Sequence, residues 1–101
     1  MRYILVSIKP ASDDKYKYTV KLAEKNDESK THTVHFGAKG YSDYTKHKDL
    51  ERKKRYIIRH KKREDWTSTG ILTAGFWSRW VLWNKTSFRA SVDNVKEKFH
   101  L

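Results

Sequence analysis

Along the first third of the chain, apolar and polar positions alternate with a period of two. Lys15 to Leu22 is the clearest case, with Tyr16, Tyr18, Val20 and Leu22 on one face and Lys15, Lys17, Thr19 and Lys21 on the other, the pattern of a half-buried strand. Arg2 to Lys9, rich in β-branched and aromatic residues and stopped by Pro10, predicts a strand before it. Thr31 to Phe36 alternates again and sets His32, Val34 and Phe36 on one face. Ser12-Asp13-Asp14 and Asn26-Asp27-Glu28-Ser29 read as the connections. Such short links favour a three-stranded antiparallel meander with one face packed and one wet.

At Gly37-Ala38-Lys39-Gly40 the period changes from two to helical. A helix is predicted over about residues 46–62, with Asp43 or Thr45 as its N-cap and Leu50, Tyr56, Ile57 and Ile58 as a narrow docking stripe. After a break at Thr67 to Gly70, Phe76, Trp80 and Trp83 recur at i, i+4 and i+7 and predict a short, mostly buried helix over 73–83. Thr86 or Ser87 caps a last amphipathic helix carrying Phe88, Val92, Val95 and Phe99 on one side. The fold class is therefore α+β: a small three-stranded antiparallel sheet, a long basic helix, a short tryptophan-rich helix and a carboxy-terminal amphipathic helix. Residues 1–101 make a single domain, 1–36 the meander and 37–101 the helical part. The expected core joins Val20, Leu22, Val34 and Phe36 to Ile57, Trp77, Trp80, Val92 and Phe99.

Charge changes this picture. The chain carries +11, and ten basic residues against two acids between Lys46 and Arg63 supply +8 of it. That density is self-repelling, which points to an anionic partner: nucleic acid, an acidic protein surface or anionic lipid. The residues expected to meet it are Lys39, Lys48, Arg52, Lys53, Arg55, Arg59, Lys62, Arg63 and Arg79. Four tryptophans exceed what so small a core readily encloses, so Trp66, Phe76 and Trp83 are expected to serve as partner anchors. A lysine-heavy surface favours contact with a phosphate backbone over base readout.

Other chemistry is excluded or bland. The chain has no cysteine, which removes disulfides, thiolate metal sites and thiol catalysis. His32 and His35 lie three apart on a predicted strand and so point to opposite faces, and His47 and His60 are too far apart for one site. No metal, no cofactor and no catalytic residue is expected, and no small-molecule substrate. Gly37-x-x-Gly40 with Lys39 resembles the GXXG loop by which KH domains hold a nucleic-acid backbone, but that loop joins two helices and this one follows a strand. Tyr3 to Ile8 is too short for the apolar core of a signal peptide, and the charge-free run Thr67 to Ser78 is too short to span a bilayer.

Four runs carry a resemblance: His35 to Thr45 (His-Phe-Gly-Ala-Lys-Gly-Tyr-Ser-Asp-Tyr-Thr), Arg52 to Ile57 with Arg59-His60, Gly70-Ile71 with Thr73 to Trp80, and Leu82 to Lys85. Together, over roughly residues 33–95, they resemble a family of short basic proteins encoded by large nucleocytoplasmic DNA viruses, including those of algae. The resemblance brings no catalytic residues. It implies a viral setting, in the virion with host cytoplasm or viral factory during assembly. There the leading expectation is a non-enzymatic minor capsid or cement protein that bridges neighbouring capsid proteins through basic and aromatic surfaces. The alternative expectation is a genome-associated protein that binds nucleic acid without sequence preference.

Overall fold

A computed structural model describes residues 2–101. Three strands, β1 (Tyr3–Pro10), β2 (Tyr16–Glu24) and β3 (Asp27–Ala38), pair antiparallel in the order β1-β2-β3. The helical half follows as α1 (Tyr44–His47), α2 (Leu50–His60), a single 3₁₀ turn (Ser68–Gly70), α3 (Ala74–Trp77) running directly into a π-helical turn (Ser78–Leu82), and α4 (Phe88–Phe99). This is the α+β arrangement expected from the pattern of the chain.

Alternation explains the sheet. Val20 and Leu22 of β2 and Val34 and Phe36 of β3 are buried on the face that meets the helices, and Val20 and Leu22 pair across the ladder with Ile8 and Leu5 of β1. A bulge between Leu5 and Ser7 leaves Val6 without an opposite residue and 53% exposed. The extra residue keeps Leu5 and Ile8 on the same face although they are three apart. The β2–β3 connection is tighter than expected: Lys25 and Asn26 make the turn, and Asp27 already pairs with Glu24. Asp27, Glu28 and Ser29, also assigned to that turn, form an irregular start to β3 instead, where the Asp27 carboxylate accepts from the Ser29 N–H and hydroxyl.

The basic helix differs from expectation in both length and rotation. Its expected first turn is a separate helix, α1, capped by Asp43, and Lys48 in left-handed backbone (φ 56°) separates it from α2. Asp49 caps α2 by accepting from the N–H groups of Glu51 and Arg52, while the Asp49 N–H itself donates to His47 Nδ1 at 2.9 Å. The aliphatic part of the predicted docking stripe turns away from the core: Leu50 is half exposed, Ile58 is 71% exposed, and Ile57 lies outside the core. Tyr56 is the buried residue of this helix.

The core gathers Ile71, Phe76, Trp77, Val81, Leu82 and Val95 against the four sheet residues. Thr73 caps α3 as a side-chain acceptor for the Phe76 N–H. Widening to a π turn, marked by the Trp83 N–H donating to Ser78 O, sets Val81 and Leu82 five residues after Phe76 and Trp77. Both pairs then face the sheet, and Trp80 and Trp83 fall to the flanks, half-buried. Ser87 caps α4, with Val95 and Ser91 at the centre of its buried face and Phe88, Val92 and Phe99 around them.

At the end of β3, Gly37 adopts φ +78°, and a Cβ there would meet Leu82 Cδ1 at 2.7 Å. Gly40, at φ +93°, has open space around it. Gly40→Ala therefore carries only the left-handed backbone term of about 1–2 kcal/mol. Gly37→Ala adds the clash with Leu82, for a loss of about 3 kcal/mol. Chemical denaturation checks this, and equal losses for the two variants would contradict the packing described.

Candidate nucleic-acid interface

The residues that sequence reasoning assigned to an anionic partner divide into two groups. Arg52, Arg55 and Arg59 recur at i, i+3 and i+7 along α2 and so share one flank of it. They line a cleft of about 510 Å³ whose other walls are the Tyr41-Ser42-Asp43 loop and the Ala74, Gly75 and Ser78 side of the tryptophan segment. None of the three forms an ion pair among the described residues. Lys39, Lys48, Lys62 and Arg63 are exposed but lie off this cleft.

Lys53 and Arg79 belong to the second group and correct the expectation that they meet a partner. The Lys53 ammonium donates to Asn84 O at 2.7 Å and sits 4.9 Å from the centre of the Tyr44 ring. Burial, with Arg79 and Lys85 adding like-charge repulsion, lowers its pKa. The Arg79 guanidinium donates to Trp83 O at 2.7 Å and lies over the rings of Trp80 and Trp66, 4.5 and 5.5 Å from their centres. Burial lowers its pKa too. Both cations tie the tryptophan segment together rather than reaching out of it.

The expected aromatic anchors also turn inward. Phe76 is fully buried between Trp77 and Phe99 and is a core residue, not a surface anchor. Trp83 is half-buried, its ring face to face with Tyr56 at 4.3 Å and 3° and its other neighbour His47 at 5.3 Å. Trp66, also half-buried, lies parallel to Tyr56 at 6.3 Å and donates from Nε1 to Glu64 at 3.2 Å. The apolar surface these rings offered on paper is largely consumed by stacking on one another and on Arg79.

Tyr56 holds the back of the cleft. Its ring also stacks on His60 of the same helix at 4.3 Å, while its stack on Trp83 sets the rotation of α2 that swings Arg52, Arg55 and Arg59 onto the cleft side. Glu64, which also lines the cleft, is already engaged by His60 at 3.4 Å and by Trp66. Beneath the loop, Asp43 is buried and accepts from the Lys17 ammonium at 2.6 Å, from the Thr45 N–H at 2.9 Å and from the Thr45 hydroxyl. With the one deeply buried carboxylate neutralised by Lys17, the accessible potential of the cleft is set by the arginines. Sequence reasoning identified Asp43 only as a cap, and found no role for Tyr41 or His60.

Burial, reinforced by the Glu64 carboxylate, raises the pKa of the Tyr56 phenol well above the ordinary tyrosine value. The folded chain thus keeps this phenol neutral where the unfolded chain ionises it. Stability from this group is intact below about pH 10 and falls as pH rises beyond it. Tyr56→Phe keeps the stacks and makes the alkaline limb of a stability–pH profile shallower, with Tyr18, raised by burial and Asp43, retaining part of it. Tyr56→Ala removes the stacks and costs about 3 kcal/mol by denaturant titration.

No curated protein sequence and no solved structure matches this chain. A family model does, over residues 6–60, from the bulge of β1 through the last residue of α2. That stretch contains β2, β3 and the larger part of β1, the loop of Tyr41 and all three arginines of the cleft, and by it the chain belongs to the family described as a family of unknown function (DUF5754).

Proposed function

We propose that this protein binds nucleic acid through its sugar–phosphate backbone, without sequence readout and without catalysis. The observation that carries this reading is the row of three arginines, none ion-paired among the described residues, lining one open cleft while Tyr56 and Trp83 beside it are turned inward onto each other. A guanidinium offers paired N–H donors that fit a phosphate bidentately, and it stays charged at every relevant pH. Seven residues of helix set Arg52 and Arg59 about 10 Å apart, a run comparable with three steps of about 3.4 Å rise along a duplex strand. Neither Asn nor Gln lines the cleft, and those are the side chains that read adenine.

Charge reversal at the three positions, Arg52→Glu with Arg55→Glu and Arg59→Glu, tests this reading. The arginines lie on the open side of α2, so the fold is retained, as circular dichroism would verify. Plotted as log affinity against log salt, the binding of random duplex DNA should lose about 2.7 units of slope, the share of three phosphate contacts. An unchanged slope would count against the cleft as the binding surface.

A second reading, a minor capsid or cement protein of a large DNA virus particle that bridges neighbouring capsid proteins, draws support from the outer flank of α2. Leu50 and Ile58 are 50% and 71% exposed there, with Lys54 between them, and exposed aliphatic groups beside lysines suit a protein contact with an acidic rim. In this reading Trp66 and Trp83 brace the surface from behind instead of anchoring a partner. Separating shell from core in purified particles tests it: the chain should remain with the shell, and recovery only with the genome would count against it.

A further inference from the structure

Five of the six tyrosines lie against another aromatic ring. Tyr3 meets His32, Tyr16 meets His35, Tyr18 meets Phe36 and Phe88, Tyr44 meets His47, and Tyr56 meets His60 and Trp83. Tyr41 has no such neighbour among the described residues. It is 73% exposed, the most exposed large hydrophobic residue described, and it lines the same cleft as Arg52 and Arg55. Packing gives this ring no role, yet it is placed where the free cations are.

The ring is also held on a short, braced support. Gly40 before it takes φ +93°, the Tyr41 N–H donates to Ala38 O at 3.3 Å, and two residues later Asp43 is fixed to Lys17 at 2.6 Å. A tyrosine has two side-chain torsions to restrain, so a flat partner stacks on it at small entropic cost. An aromatic face beside cations that track a phosphate chain is the combination by which single strands are bound without regard to sequence, since every base has a π-face. In a duplex the base faces are covered by their neighbours and such a ring finds nothing to stack on.

We propose that Tyr41 is a base-stacking platform at the mouth of the arginine cleft, and that the site takes single-stranded nucleic acid in preference to duplex. The proposal rests on the nucleic-acid reading above and narrows it. Arg52, Arg55 and Arg59 hold the backbone along α2, and an unpaired base turns off the strand onto the Tyr41 ring.

Fluorescence anisotropy with three dye-labelled probes of equal length tests this at one salt concentration: a short oligothymidylate, an abasic strand with the same phosphates, and a duplex. The intact protein should bind oligothymidylate most tightly. Tyr41→Ala should lose about tenfold on oligothymidylate, the scale of one base–aromatic stack, and keep its affinity for the abasic strand; Tyr41→Trp should restore binding. Equal binding of oligothymidylate by Tyr41→Ala and the unaltered protein, or tighter binding of duplex than of single strand, would overturn the proposal. The triple arginine reversal separates it from its premise. If that variant still holds the abasic strand and the duplex, the arginine cleft is not the backbone site, whatever Tyr41→Ala does.

Discussion

The face-to-face stack of Tyr56 on Trp83 is the contact on which the helical half depends. It joins α2 to a segment that begins some twenty residues later, and a parallel aromatic pair contributes about 0.5–1.5 kcal/mol beyond the area it buries. Around it, two cations are drawn out of water, Lys53 onto Asn84 O and Arg79 onto Trp83 O. Their mutual repulsion is offset by those carbonyls and by the ring faces of Tyr44, Trp66 and Trp80. A chain with so many positive charges thus uses some of them as internal fasteners, and the tryptophans supply the negative faces that make this tolerable.

The rotation of α2 follows from the same contact and decides which charges remain free. With Tyr56 inward, Lys53 and His60 share its face, Arg52, Arg55 and Arg59 fall on one flank, and Leu50, Ile57 and Ile58 on the other. The cleft is therefore a by-product of one aromatic residue's choice of neighbours. Asp43, buried against Lys17, fixes the facing loop to β2, so both walls are referred to the sheet.

Much of the sheet was legible in the sequence because a period of two reports the environment residue by residue. Val20, Leu22, Val34 and Phe36 are buried as their alternation requires, and Ser87 caps α4 because a serine before an amphipathic run satisfies its first amides. The course of α2 was not legible. Three aliphatic residues outweigh one tyrosine on any hydrophobicity count, but the stacking partner of Tyr56 on the next segment is invisible to a local window. The break at Lys48 escaped for a related reason: Asp49 reads equally well as a first-turn acid or as a cap, and only the His47 side chain accepting its N–H settles which. For the candidate site, composition identified the right helix, but not which of its ten cations stay free, since that depends on the rotation. The π turn was hidden because i, i+4, i+7 spacing assumes a regular helix throughout.

The sheet face of Val20, Leu22, Val34 and Phe36 is covered almost wholly by residues that come after the stretch shared with the family. Ile71, Phe76, Trp77, Val81, Leu82 and Val95 all lie beyond residue 60. The strands pair only with their sequence neighbours, and hairpins of this kind form in about 1–10 μs, yet an isolated sheet of this size with one bare apolar face is an invitation to association. A chain cut after α2 would retain the arginines but lose both the lid on its sheet and the ring that orients Tyr56. The shared stretch is in this sense incomplete by itself: it carries the arginine row, and the tryptophan segment supplies both the cover of its sheet and the far wall of the cleft.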